Sequence, residues 1–263
     1  PHPFWSFRHV RELIPTARIR HGRHPRPLPF EAVGDLLDLR FDAKAGERVL
    51  GEYLATTQTD ALVAIKDGKV VLEWMAPGVR DDEPHLMFSV TKSITALLCG
   101  ALVGAGKIDP DAPVVQYVPE VAGGGFGDAT VRHLLDMEAS YSFVEDYSPG
   151  PDIVLYRNSA GWYPAPPDHM GLHEFLASRQ KEGEHGQRFR YMSPTTDMLG
   201  WVCEAASGSQ PKPERIVARV HSSRPHAPAS PSIASSRAGR PASPTAGRIQ
   251  RRASSQVHGY SAQ

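Results

Sequence analysis

Phe88-Ser89-Val90-Thr91-Lys92-Ser93-Ile94 is the stretch on which the reading of the chain turns. Upstream of it, Arg80-Asp81-Asp82-Glu83-Pro84 is polar and proline-broken, which predicts a loop. Downstream, Ile94, Leu97, Leu98, Ala101, Leu102 and Ala105 recur at three- and four-residue steps, the period of a helix. Ser89 therefore falls at or near a helix N-terminus, and Lys92 lies on the same face one turn later. A serine hydroxyl is a poor nucleophile until something removes its proton. A lysine can do so when burial or a positive neighbour lowers its proton affinity. The helix start also turns backbone N–H groups toward any developing oxyanion. Taken alone, the spacing is a weak signal, better explained by a serine N-cap and a surface lysine.

A second stretch adds weight. Phe189-Arg190-Tyr191-Met192-Ser193-Pro194 reads as a short strand running into a helix capped by Ser193, with Pro194 at its first position. This places Tyr191 in a turn where a phenol can meet the Ser–Lys pair.

Four segments now carry a resemblance. Phe88-Ser89-Val90-Thr91-Lys92-Ser93, Gly106-Lys107-Ile108-Asp109-Pro110-Asp111-Ala112-Pro113-Val114 and Thr130-Val131-Arg132-His133-Leu134-Leu135 resemble the serine β-lactamase and penicillin-binding-protein superfamily, its class C-like branch above all. Tyr191-Met192-Ser193 stands where that branch has Tyr-x-Asn. Together with the opening Pro3-Phe4-Trp5-Ser6-Phe7-Arg8-His9-Val10-Arg11-Glu12-Leu13, it is similar to the 6-aminohexanoate-dimer hydrolases and related amide hydrolases or esterases. The likeness runs from about Pro3 to Gly208.

The resemblance implies an α+β fold of the β-lactamase/transpeptidase type, an antiparallel sheet flanked by helices. It implies a serine hydrolase acting on a small-molecule amide or ester through an acyl-enzyme, with no cofactor. Ser89 would be the nucleophile, Lys92 the base and Tyr191 the proton relay to the leaving group. Ser193, in place of the Asn, would support Lys92 and Tyr191 and face the substrate, and Tyr147 matches a substrate-loop tyrosine. Loss of the Asn amide favours small linear amides or esters over β-lactams.

Composition bounds the rest. A 263-residue chain with 40% apolar residues suits one large or two small domains with a real core. No run of about 18 apolar residues predicts a membrane span. The basic N-terminal residues lack an apolar h-region, so a cytoplasmic protein is expected, though the chain opens at Pro1 and its true start can lie further upstream. Cys99 and Cys203 fall inside predicted helices and read as small core residues of a reducing compartment, with a disulfide left open. His169 and His173 share a helix face, but no Glu follows the first and Gly171 intervenes, so no zinc site is expected. Gly104-Ala105-Gly106-Lys107 is no phosphate loop, because Ile108 stands where a Ser or Thr must bind magnesium.

Along the chain, residues 1–30 read as an arm, anchored by Phe4, Trp5 and Phe7. Asp35 to Leu39 predicts a helical turn and Glu47 to Thr57 a short helix. Ala61–Lys66 and Lys69–Trp74 flank Asp67-Gly68, the signal of a hairpin closed by a type I′ turn. Gly123-Gly124-Gly125 reads as a flexible link, and Thr130 as the cap of a helix from Val131 to Met137. Residues 141–170 read as one long loop, with Tyr141, Phe143, Tyr147, Tyr156, Trp162 and Tyr163 forming either a substrate lid or a core cover. Helices follow around Leu172, Phe175 and Leu176 and around Met198, Leu199, Val202 and Ala206, the last stopped by Gly208.

At Ser209 the character changes. Residues 1–208 hold 20 Lys+Arg against 28 Asp+Glu, whereas residues 209–263 hold 9 against 1. The last segment has 11 Ser, 9 Ala, 8 Arg and 7 Pro and no Leu, Phe, Met, Trp or Asp, so it lacks the apolar surface to order itself. Three domains follow: an arm over 1–30, the N-terminal portion of a hydrolase domain over 31–208, and a disordered basic tail over 209–263. Such a composition is also what GC-rich codons yield out of frame. On that reading the fold is incomplete, the third active-site motif is absent, and the chain is inactive. Two other functions compete: a catalytically silent binding protein of the same fold, and a nucleic-acid binder acting through the tail. The acidic body shows no nucleic-acid motif, so neither a nucleic-acid nor a membrane partner is expected.

Overall fold

The computed structural model describes residues 3–14, 16, 27–148, 150–163 and 168–208. The 209–263 tail and much of the 1–30 arm lie outside the described residues. In chain order the elements are α1 (Pro3–Ser6), α2 (Val10–Leu13), β1 (Arg40–Ala43), β2 (Gly46–Val49), α3 (Leu50–Thr56), β3 (Ala61–Lys66), β4 (Lys69–Met75), α4 (Val90–Gly104), α5 (Val131–Leu135), α6 (Pro151–Ser159), α7 (Leu172–Ala177) and α8 (Ser193–Ser207). They divide into two compact units that part between Pro84 and His85.

The first unit contains α1, α3 and two antiparallel hairpins. In the β3–β4 hairpin Lys66 pairs Lys69, and both turn residues take positive φ, Asp67 at 51° and Gly68 at 77°, as a type I′ turn demands. The β2 strand takes Glu47 to Val49, the start of the helix expected over Glu47 to Thr57. The hairpin's strands are four residues each, β1 alternating only through Phe41 and Ala43 and β2 carrying a single apolar side chain, Val49, and the helix begins only at Leu50. The turn expected near Asp35 forms as a 3₁₀ segment over Leu36–Asp38. At the N-terminus the anchor is Arg8, whose guanidinium donates to Gly78 O at 3.3 Å and to Glu83 at 2.8 Å; Trp5 is exposed.

The second unit contains the core. Val114, Val118, Val121, Phe126, Val131, Leu134, Tyr141, Phe175, Leu176, Met198 and Val202 are essentially inaccessible. Each large apolar side chain among them contributes about 1.5–3 kcal/mol by leaving water. α4 packs along α8, with Cys99 and Leu102 buried on the one and Met198, Leu199, Val202 and Cys203 on the other. Cys99 and Cys203 are free, buried thiols inside this contact. The opposite face of α4 is open, with Val90, Ile94 and Leu97 exposed.

Three loop readings are corrected. Gly123-Gly124-Gly125 is packed, not flexible: a Cβ on Gly125 would sit 2.8 Å from both Gln180 O and Tyr141 Cβ, and the Gly125 N–H donates to Arg179 O at 2.7 Å. The 141–170 segment contains α6, which Pro151 starts from the helix-compatible first turn. Its buried residues are only Ile153, Tyr156 and Ser159, too few to show as a periodic apolar stripe. Residues 189–192 form no strand; the Arg190 N–H donates singly to Met137 O at 2.7 Å, with no ladder beside it.

Candidate active site

Ser89 is the N-cap of α4. The chain winds into the helix through bonds from Val90 N to Met87 O, Thr91 N to Phe88 O and Lys92 N to Ser89 O, all 3.0–3.1 Å. Phe88 has φ of 43°, a left-handed conformation that an L-residue with a ring at Cβ adopts only under constraint. Such strain is found where neighbouring structure dictates a backbone path, here the one delivering the exposed Ser89. Among the described residues nothing accepts the Ser89 N–H.

The spacing of three places Lys92 above Ser89, and its Nζ donates to Ser89 Oγ at 3.1 Å. From 102 residues away the Tyr191 hydroxyl donates to the same Oγ at 2.6 Å. Lys92 Nζ also lies 5.1 Å from the centre of the Tyr191 ring, within range of a cation–π contact. One serine oxygen thus meets an amine and a phenol. That arrangement disperses negative charge on Oγ and offers two groups for moving a proton. An unprotonated Lys92 amine would reverse its bond and accept the hydroxyl proton.

Ser193 is the first residue of α8, with Met192 as N-cap, one residue earlier than the sequence suggests. Its polar atoms turn to Glu145: the N–H donates to Oε2 at 2.9 Å and the hydroxyl to Oε1 at 2.8 Å. A carboxylate here satisfies one of the unpaired N–H groups of the helix start and complements its partial positive charge. Ser193 thus spends its hydroxyl proton on Glu145, not on the Lys92–Tyr191 pair. Tyr147 is exposed, and the Arg157 guanidinium lies 5.8 Å from its ring centre and 5.7 Å from that of Tyr163, to whose hydroxyl it donates at 2.8 Å. Desolvation, then the Glu145 charge, raises the Tyr147 phenol above its ordinary value.

Two carboxylates escaped the sequence reading. Glu145 has no signal beyond standing two residues before Tyr147. Asp197 stands one turn after Ser193, just before the apolar run of α8, a spacing that puts both on one face. Asp197 is partly buried and accepts from the Tyr156 hydroxyl at 2.6 Å. Crowding by protein atoms raises its proton affinity, while the Tyr156 bond and the Lys92 charge oppose that rise. Tyr156 is pushed up in turn, by burial first and then by the Asp197 charge. Below them the Tyr141 hydroxyl pairs with Thr195 Oγ1 at 2.9 Å, both buried. Among the described residues no group of three His, Cys, Asp or Glu is arranged to hold a metal ion, and no helix is long and apolar enough to cross a membrane.

The profile of the Beta-lactamase family matches residues 47–248, running past the compositional boundary at Gly208. The chain is 36% identical over 211 residues to the 6-aminohexanoate-dimer hydrolase of Paenarthrobacter ureafaciens, covering 79% of this chain and 52% of that protein. Among solved structures it is similar to a Bacillus anthracis protein provisionally named a 6-aminohexanoate-dimer hydrolase, with a TM-score of 0.68 at 23% identity, over 80% of this chain and 56% of the other. The chain therefore spans about half the length of the relatives it matches.

Proposed function

The chain belongs to the β-lactamase family, and from that premise we propose that Ser89, Lys92 and Tyr191 are the acylation machinery of a serine hydrolase for small amides or esters of the 6-aminohexanoate-dimer type. The α+β fold of that family frames the site. The observation that carries the proposal is the convergence on Ser89 Oγ of Lys92 Nζ at 3.1 Å and the Tyr191 hydroxyl at 2.6 Å. In the cycle, Ser89 Oγ attacks the substrate carbonyl carbon as the Lys92 amine takes the hydroxyl proton. The uncommitted Ser89 N–H serves as one oxyanion donor. Tyr191 passes a proton to the departing amine or alkoxide, and water then releases the acid from the acyl-enzyme. Tyr147, exposed on the same unit, is assigned to the substrate side. Ser193 acts through Glu145 by holding the start of α8 and with it Tyr191.

We infer slow turnover for the 263-residue polypeptide. The described residues supply one identified oxyanion donor, and loss of a second typically costs about 10²–10³ in rate.

The test is covalent labelling. A fluorophosphonate probe incubated with the chain should leave its adduct on Ser89 by mass spectrometry, and Ser89→Ala should abolish it. An adduct on another serine refutes the assignment. For substrate class, p-nitrophenyl esters and aminohexanoate dimers should exceed a chromogenic cephalosporin. Cephalosporin turnover far above the others reverses that ordering, and enzyme-like rates from the 263-residue chain overturn the expectation of slow turnover.

A further inference from the structure

Four described arginines are held back from full exposure: Arg8, Arg157, Arg179 and Arg190. Three of them face a carboxylate, Arg8 with Glu83 at 2.8 Å, Arg179 with Asp152 at 3.9 Å and Arg190 with Glu182. Among the described residues no carboxylate pairs with Arg157 on α6, whose guanidinium meets two tyrosines instead. It lies 5.8 Å from the ring centre of Tyr147 and 5.7 Å from that of Tyr163, and one N–H donates to the Tyr163 hydroxyl at 2.8 Å. A guanidinium has five N–H donors in a planar fork that fits a carboxylate, and the Tyr163 bond occupies one of them. A partly dehydrated cation without a counter-charge costs free energy that an arriving anion offsets. The way in is open, since Tyr147 is 68% and Tyr163 43% exposed.

Two tethers tie this cluster to the Ser89 site. Tyr147 follows Glu145 by two residues, and Glu145 is bonded to Ser193, which follows Tyr191 by two. Two residues of chain span at most about 7 Å, so the segments bearing Tyr147 and Tyr191 run out from one shared junction. The second tether is Tyr156, the residue before Arg157. Its hydroxyl donates to Asp197 Oδ2 at 2.6 Å, one turn into α8 from Ser193. Tyr191 is itself open to solvent where its hydroxyl reaches Ser89 Oγ.

We propose that Arg157, with the rings of Tyr147 and Tyr163, binds a terminal carboxylate of the substrate, so that linear amides ending in a carboxylate are selected over those ending in a neutral group or an ammonium. This rests on the reading of Ser89 as the nucleophile. The carboxylate takes the free N–H groups of Arg157, and the aromatic faces cover the methylene chain that leads to the scissile amide. Rings that keep water from the guanidinium strengthen its attraction for the anion. An ammonium in the same place meets a like charge. An aminohexanoate dimer carries such a carboxylate on its amine half and an ammonium on its acyl half.

The experiment compares linear amides of similar length and different terminal charge. 6-Acetamidohexanoate carries a carboxylate on its amine half and adipamate on its acyl half; 6-acetamidohexanamide is neutral, and N-acetyl-1,6-diaminohexane ends in an ammonium. The 263-residue chain is produced with isotope-labelled arginine, and the Arg157 Nε resonance is assigned with Arg157→Lys. At least one carboxylate probe should move that resonance, at concentrations about tenfold below those the neutral amide needs, the discrimination expected of one charge-assisted pair open to water. The same probe should slow fluorophosphonate labelling of Ser89 over the same concentrations. In Arg157→Gln the protection of Ser89 should no longer distinguish carboxylate from neutral amide. Equal binding of the charged and neutral amides, an Arg157 resonance that stays still, or an undiminished preference in Arg157→Gln overturns the proposal. Binding at Arg157 that leaves Ser89 labelling at full rate overturns it as well. Should Arg157→Gln lose its far-UV dichroism, the Arg157 resonance and the Ser89 protection in the parent decide the matter. No labelling of Ser89 under any condition would remove the nucleophile assignment and leave the arginine resonance to judge the carboxylate site, so the two failures are distinguishable.

Discussion

Replacing Glu145 should loosen the start of α8, and the size of the effect follows from two bonds. Ser193 N donates to Oε2 at 2.9 Å and Ser193 Oγ to Oε1 at 2.8 Å. Hydrogen bonds to a charged group contribute about 1.5–3 kcal/mol each when well shielded, and less where water can replace the acceptor. Both residues are only partly buried, so the lower end applies. Glu145→Ala should cost about 2 kcal/mol, and Glu145→Gln, which keeps an acceptor but not the charge, about 1 kcal/mol. Ser193→Ala removes only the hydroxyl bond, about 1 kcal/mol. That bond is lost in either single variant and cannot be lost twice. The double variant should therefore fall short of the sum by about 1 kcal/mol, within the range for directly contacting pairs. Urea unfolding followed by tryptophan fluorescence, one of whose four sources is Trp201 on α8, stacked at 3.9 Å against His173, measures the parent and the four variants. Additivity within about 0.3–0.5 kcal/mol would mean that the pair does not interact, and the role given to Glu145 would be wrong.

Gly125→Ala should destabilise by about 1–3 kcal/mol or more, because the new methyl meets the Gln180 carbonyl at 2.8 Å and a backbone oxygen cannot rotate away. Gly100→Ala is the control, since nothing lies within 4 Å of its Cβ position; mid-helix it should gain up to about 1 kcal/mol, and thermal melts should separate the two by sign. Stability should decline as pH falls through the usual histidine range. Burial holds His185 below its ordinary value, so the unfolded chain takes up that proton first; the contribution is complete above the unfolded value near 6.5 and is lost on acidification through the lower folded value. Urea midpoints between pH 8 and pH 5 should show this, and His185→Gln should flatten it. Asp128 is held below its ordinary value chiefly by its bond to Lys181, with the bond from His185 adding to that, so its contribution persists above the unfolded carboxylate value and is lost only at more acid pH. Finally, Cys99 and Cys203, at 0% and 3% exposure, should resist a thiol reagent in the native protein and react at once in urea.

Local features of the chain were legible before any coordinates, because they depend on neighbours a few residues apart. The Asp67-Gly68 turn, the Thr130 cap, the helix begun at Ser89 and the stop at Gly208 are each written in short-range chemistry. The Ser89–Lys92 spacing belongs with them, since three residues on a helix place two side chains together whatever surrounds it. Other features had no local signature. The β1–β2 strands are too short for the Phe41 and Ala43 alternation to stand out, and α6 buries too little to show a period. The glycines at 123–125 look the same in sequence whether they bend freely or press against Gln180 and Tyr141. Of the long-range partners of the site only Tyr191, which meets Ser89 across 102 residues, was expected, through the resemblance; Glu145, which reaches Ser193 across 48, and Tyr156, which bonds Asp197 across 41, had no signal. A hydrogen bond needs its two atoms within about 3 Å, and only the packing of α4 along α8, with α6 on α7 and α7 on α8, brings such distant residues that close.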